Sequence, residues 1–166
     1  RLWVYATRGF SVNEILEKFL LCMGEEIPSR STKDSLQQLI LKKIERCKYL
    51  LVLDDIWDDD NSLSNKWEEL RKVLVYGGLG SKVLITTRDE RVARIAGSTE
   101  PYELGDLGKE HSWDLFQQAA IPHVGQVEQS LKETGQEILE RCPKVPLVIR
   151  AIGGLLREQE PTKEKW

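Results

Sequence analysis

The chain has 166 residues, of which 40% are hydrophobic and 31% charged, a globular composition long enough to bury a core. A net charge of −3 and a pI near 5.6 argue against nucleic acid as the main partner, because neutralising phosphates needs a basic face. No run approaches the ~20 apolar residues of a membrane helix, and no secretory segment opens the chain.

Leu2-Trp3-Val4-Tyr5 starts at once as a strand, Arg1 is not an initiator methionine, and the chain stops in the charged Thr162–Trp166 segment. The sequence is therefore expected to be a piece of a longer protein. After Arg8-Gly9, Ser11-x-x-Glu14 is a capping-box pattern. Val12, Ile15, Leu16, Phe19, Leu20 and Met23 then share one helical face, which Gly24 ends. A second helix is predicted from Ser31 or Thr32, with Leu36, Leu39, Ile40 and Ile44 turned inward. Lys42, Lys43, Arg46 and Lys48 gather near its carboxyl end, where they complement the helix dipole.

Tyr49 to Trp57 is an unbroken apolar run closed by Asp54 and Asp55. Its lack of alternation predicts a strand covered on both faces of a parallel sheet. In such sheets ligands collect beyond the carboxyl ends of the strands, where these acids would lie. Carboxylates there can hold Mg²⁺ through its waters and act beside a triphosphate, or they can simply form a turn.

Asp58, Asp60, Ser62 and Glu69 fall on part of a calcium-loop template, but the required glycine is Leu63 and a strand precedes the loop. A solvated acidic loop is the better reading. The next helix carries Trp67, Leu70, Val73 and Leu74 on one face, with Asn65 as its expected cap. Gly77-Gly78-Leu79-Gly80 lacks a Lys-Ser/Thr ending and reads as a turn.

Lys82–Thr86 is the next strand, delivering Thr87 and Arg88 to the edge that holds Asp54 and Asp55. Asp89 caps a short helix, and Pro101–Leu104 is expected as a last strand. The order β-α-α-β-α-β-α-β calls for a parallel sheet. Beyond it come helices near Lys109–Ala120, Ser130–Cys142 and Pro146–Arg157, the last begun by proline and carrying Leu147, Val148, Ala151, Ile152, Leu155 and Leu156. The chain thus divides into an α/β part, residues 1–105, and a helical part, residues 106–166.

Cys22, Cys47 and Cys142 form no C-x-x-C pair, and His111 and His123 complete no ligand cluster with them. Each cysteine lies near a helix end and is expected to be a small buried thiol. A reducing, intracellular setting follows as a default.

These blocks, in this order, resemble the NB-ARC module of plant disease-resistance proteins. Trp3-Val4 with Phe10-Ser11-Val12 is similar to that family's first block after the phosphate loop. Leu50–Trp57 resembles its kinase-2 block, Gly80–Arg88 its third-strand block, and Tyr102-Glu103-Leu104 through Ser112–Phe116 the block that follows. Cys142–Leu147 with Gly153–Leu156 is similar to its Gly-Leu-Pro-Leu block. Trp57 closing kinase-2 points to the coiled-coil type of resistance protein. The resemblance implies a parallel-sheet P-loop NTPase core followed by an all-helical subdomain. That core is incomplete here: the phosphate loop G-x-x-x-x-G-K-[ST] does not occur in the sequence, and Lys144 stands at the usual glycine of the last block.

The resemblance implies ADP or ATP as ligand with Mg²⁺. Asp54 would hold the metal through water, and Asp55 would orient or deprotonate the attacking water. Arg88 would read the γ-phosphate, unless it forms a structural ion pair with Asp54 or Asp89. Thr87 and its neighbour Thr86 would hydrogen-bond around the site or satisfy a strand end. Pro146, with Leu147, would pack against the base or ribose, or simply start a helix.

By the same resemblance the intact module is a slow ATPase acting as a molecular switch, with leucine-rich repeat and coiled-coil regions in the same polypeptide and other receptor protomers as partners. A cytoplasmic location is expected, with no nucleic acid and no transmembrane segment. Without the phosphate loop the main amide donors to phosphate are missing. This piece alone is therefore expected to be marginally stable and to bind nucleotide weakly if at all. A degenerate, non-catalytic interaction module is the alternative, and Lys144 favours it.

Overall fold

A computed structural model of the chain describes residues 1–59, 61–98, 100–121, 128–159, 162, 165 and 166. Asp60 and His123, weighed above as metal-ligand candidates, and the terminal Lys163 and Glu164 lie outside the described residues. The chain forms two compact units, Arg1–Tyr102 and Glu103–Trp166. The first is α/β with a small parallel sheet, and the second is helical.

The first unit begins with β1 (Leu2–Tyr5) and two helices, α1 (Val12–Cys22) and α2 (Lys33–Ile44). Each helix starts where the sequence offers an oxygen to an orphan amide: Ser11 accepts from the Glu14 N–H and Thr32 from the Ser35 N–H. The capping box is only half made. The Glu14 carboxylate accepts instead from Thr7 Oγ1 at 2.6 Å and Lys18 Nζ at 2.7 Å, because a charge-assisted bond outcompetes a return to the cap. At the other end of α1, Gly24 turns left-handed (φ +79°). That turn lets the Gly24 and Glu25 amides reach back to the Leu21 and Leu20 carbonyls.

There follow β2 (Leu50–Ile56), α3 (Leu63–Leu74), β3 (Lys82–Thr87) and α4 (Glu90–Ile95). The strands pair in parallel in the order β1-β2-β3, with Trp3, Val52 and Leu84 in one register row. Asn65 does not cap α3. The helix begins two residues earlier, and the Asp58 carboxylate accepts from the Leu63 N–H at 3.0 Å.

One face of the sheet is covered. Val4, Leu51 and Leu53 join Ile15, Phe19, Leu36, Ile40 and Leu70 in a single buried cluster. The opposite face is not closed, contrary to the expectation from the apolar run: Trp3 is 63% exposed and Leu84 54%, and only Val52 between them is shielded. The expected strand at Pro101–Leu104 is also absent, and Tyr102 and Leu104 are exposed. Strand geometry needs a hydrogen-bonding neighbour, and the described sheet gives this segment none.

The second unit comprises α5 (Lys109–Ala120), α6 (Gln129–Arg141) and α7 (Pro146–Arg157). Phe116, Ala120, Leu139 and Ile149 form its core, with Trp166 edge-on to Phe116. Gly153 lets α7 approach α5 closely, since a Cβ there would come within 2.6 Å of the Ala119 Cβ. The buried face of α7 is Ile149, Ile152, Gly153 and Leu156, whereas Leu147, Ala151 and Leu155 are exposed. Of the apolar residues named from the sequence, Ile152 and Leu156 lie on this face, and Ile149, not among them, is its most buried member. A helix apolar nearly all round does not declare which side packs. Among the described residues no helix is long and apolar enough to cross a membrane.

The cysteines also differ from expectation. Cys22 and Cys47 are exposed and Cys142 is half-buried. Sitting in the terminal turns, they lie beyond the packed faces, and the Cys22 thiol donates to the Trp3 carbonyl at 3.0 Å.

Candidate functional site

The polar carboxyl edge of the sheet is built by a fault in the β2–β3 ladder. Leu53 pairs with Ile85 and Ile56 with Thr87, so Asp54 and Asp55 together stand opposite Thr86 alone. Such an extra residue is a β-bulge, a device that re-aims side chains at a sheet edge. Asp55 takes the left-handed conformation, φ +58°, which aspartate tolerates better than most residues.

Thr86 repairs the fault. Its hydroxyl accepts from the Asp55 N–H at 2.9 Å and donates to Asp54 Oδ1 at 2.5 Å. One side chain thus satisfies the displaced amide and fixes one carboxylate. Thr87 serves the strand end: its hydroxyl donates to the Ile56 carbonyl at 2.9 Å and accepts from the Asp89 N–H at 3.1 Å. Asp89 in turn caps α4 and is held by Arg91 at 2.7 Å.

Arg88 reaches Asp55 with a forked contact, Nη2 at 3.1 Å from Oδ2 and Nε at 3.3 Å from Oδ1. The ion pair weighed from sequence, with Asp54 or Asp89, is therefore made with Asp55 instead. The reason is local: Asp54 is turned to Thr86 and Asp89 is engaged by Arg91. The Trp57 indole N–H beside Asp55 holds its carboxyl below the usual carboxylate range, aided by Arg88 and opposed by desolvation. A carboxyl so held accepts hydrogen bonds well but is a poor proton acceptor near neutral pH.

Asp54, Asp55, Thr87 and Arg88 are thus brought to one edge of the first unit. Pro146 and Leu147 belong to the second, where they open α7 after the extended Val145, and Leu147 is 77% exposed. Lys144 in the preceding loop uses its carbonyl to accept from the Leu107 N–H at 3.0 Å.

Sequence reasoning missed two residues at the acidic edge. Trp57, in sequence only a family signature, has its ring centre 4.3 Å from the Arg88 guanidinium carbon and 4.9 Å from that of Arg8. Arg8 also pairs with Asp59 at 3.0 Å. The signal available was topological: loops following adjacent parallel strands land on the same edge.

The donor set suits a magnesium nucleotide. Hard carboxylate oxygens stand at a strand end, where Mg²⁺ takes oxygen ligands and keeps waters, and guanidinium forks match phosphate oxygens. An open cleft of about 490 Å³ lies elsewhere, around Tyr49, Arg71 and the Gly77–Ser81 turn at the amino end of β3. It contains none of these acids.

The family model described as "NB-ARC domain" matches residues 1–125. The chain belongs to the NB-ARC family. Among curated relatives it is 34% identical over 157 residues to disease resistance protein RGA2 of Solanum bulbocastanum, an alignment covering 94% of this chain and 16% of that protein. It is 31% identical over 170 residues to disease resistance protein RPP13 of Arabidopsis thaliana, covering 98% of this chain and 20% of the relative. This NB-ARC chain therefore spans about a sixth to a fifth of the length of these relatives.

Proposed function

We propose that the chain is part of a nucleotide-dependent switch in plant disease resistance, with ADP and ATP as ligands and Mg²⁺ as the metal. Family membership and the printed names of the relatives support the setting. The observation that carries the nucleotide reading is the meeting of Arg88 with Asp55, one residue from Asp54, at the carboxyl edge of a parallel sheet.

In this reading Asp54, oriented by Thr86, holds the water shell of the metal. Mg²⁺ supplies neutralisation of phosphate charge. Asp55, with its lowered pKa, orients a water rather than stripping its proton. Arg88 exchanges its carboxylate partner for phosphate oxygens of similar geometry. Thr87 supports the edge through the Ile56 carbonyl and the α4 start. Pro146 and Leu147 are proposed, on the resemblance, to contribute apolar contact to base or ribose.

A ligand biases two states only through contacts that differ between them. An arginine with two alternative anionic partners is such a contact. Slow turnover, a cytoplasmic location and work alongside repeat and coiled-coil regions of a longer polypeptide belong to the same proposal.

The test is the nucleotide content of a receptor of the relatives' length carrying this segment. With the native segment it should co-purify with adenine nucleotide, and Arg88→Ala should shift the ADP-to-ATP ratio. Co-purification with no nucleotide would favour the second reading, an interaction module without turnover, to which Lys144 in the last block points.

A further inference from the structure

Trp57 joins groups from all three strand ends at the carboxyl edge. Its ring carries the Arg88 guanidinium at 4.3 Å and the Arg8 guanidinium at 4.9 Å, and its indole N–H serves Asp55. The three groups come from three loops: Arg8 follows β1, Trp57 follows β2 and Arg88 follows β3. Two like charges on one ring repel, and each is offset by its own carboxylate, Asp59 for Arg8 and Asp55 for Arg88.

Both arginine side chains nonetheless remain largely open to solvent, at 73% and 69%. A guanidinium has five N–H donors, and Arg8 uses its Nε with Asp59. Planar cations stacked on an aromatic face keep their edge donors available, and paired forks of this kind suit a ligand with several phosphate oxygens.

We propose that Trp57 is a positioning residue that presents Arg8 and Arg88 together to a phosphate-bearing ligand, which makes Arg8 a further binding residue of this edge. The inference rests on the nucleotide reading above and adds to it a second guanidinium and the platform that holds both. In the ligand-free chain Asp59 and Asp55 keep the two forks in place, and phosphate oxygens replace those carboxylates on binding.

The experiment follows the arginine Nε–H signals of the whole chain by ¹⁵N NMR during titration with inorganic pyrophosphate. The signals are assigned with Arg8→Ala and Arg88→Ala. In the native chain the Arg8 and Arg88 signals should move together with one apparent affinity, and Arg8→Ala should weaken that affinity roughly tenfold. Trp57→Phe keeps an aromatic face and should preserve the joint response. Trp57→Leu removes the face and should uncouple the two signals. The Arg91 signal, whose partner is Asp89, reports an intact fold in every variant.

If Arg88 responds while Arg8 stays still, the inference fails and the nucleotide reading stands. If Trp57→Leu titrates like the native chain, Trp57 has no positioning role. If neither arginine responds in the native chain, the phosphate reading of the edge falls with the inference.

Discussion

The two units stabilise themselves by different means. In the first, eighteen buried apolar residues among those described form one cluster between helices and one face of the sheet. In the second, the described cluster has four, and it depends on a close approach of α7 to α5 through Gly153. A large shared core can carry a faulted, polar strand edge, because the cost of the bulge is small against the burial beneath it. A described cluster with fewer fully buried side chains has less such reserve, so each contact in it is a larger share of the whole.

The sharpest way to break that contrast is Phe116→Ala. Losing a fully buried ring should cost about 3–5 kcal/mol and abolish amide exchange protection in α5 to α7 while β1 to β3 stay protected. Equal loss in both units would mean that they do not fold independently. Gly153→Val should come next, at about 1–3 kcal/mol, because its Cβ overlaps Ala119. Thermal melting followed by helical circular dichroism would register it, and an unchanged midpoint would show that the helices can separate without cost.

At the sheet edge the effect should be smaller. Thr86→Val keeps the shape and removes the hydroxyl shared by Asp54 and the Asp55 amide, at about 1 kcal/mol, and Thr86→Ser should recover most of it. Urea unfolding of the three proteins decides this. The smallest effect belongs to Glu14, whose carboxyl is held below its ordinary value by Lys18 and then Thr7. A depressed folded pKa means that the stabilisation is present above the unfolded value of 4.5 and is lost as pH falls through the folded value. Glu14→Gln should therefore reduce the acid-side fall in stability and leave the alkaline side unchanged, and an altered alkaline side would contradict the assignment.

The helices of the first unit were legible because local signals agreed: apolar stripes at helical spacing and caps at Ser11, Thr32 and Asp89. Pro146 marked the start of α7 for the same reason. The shared edge of Asp54, Asp55, Thr87 and Arg88 was legible from the order of the strands, whereas pairings and contacts fixed by particular distant partners were not. The segment at Pro101–Leu104 has a strand's residues but, among the described residues, no neighbour to pair with. The side of α7 that packs is chosen by α5, which favoured Ile149 over Leu147. The bulge that sets Asp54 and Asp55 against a single threonine exists only in the β2–β3 register, so the bridging role of Thr86 is invisible in a linear reading. Arg8 and Trp57 meet because parallel strands end together, a consequence of topology that residue spacing along the chain does not express.

The carboxyl edge of the sheet is the proposed meeting place with phosphate. Mapping amide shifts of the chain on addition of ADP with Mg²⁺ tests this most directly. The account predicts weak binding, on the order of millimolar, with the largest shifts at Asp54–Trp57 and Thr86–Arg88 and their loss in Arg88→Ala. Shifts centred instead on the Gly77–Ser81 cleft, with the acidic edge unmoved, would contradict it.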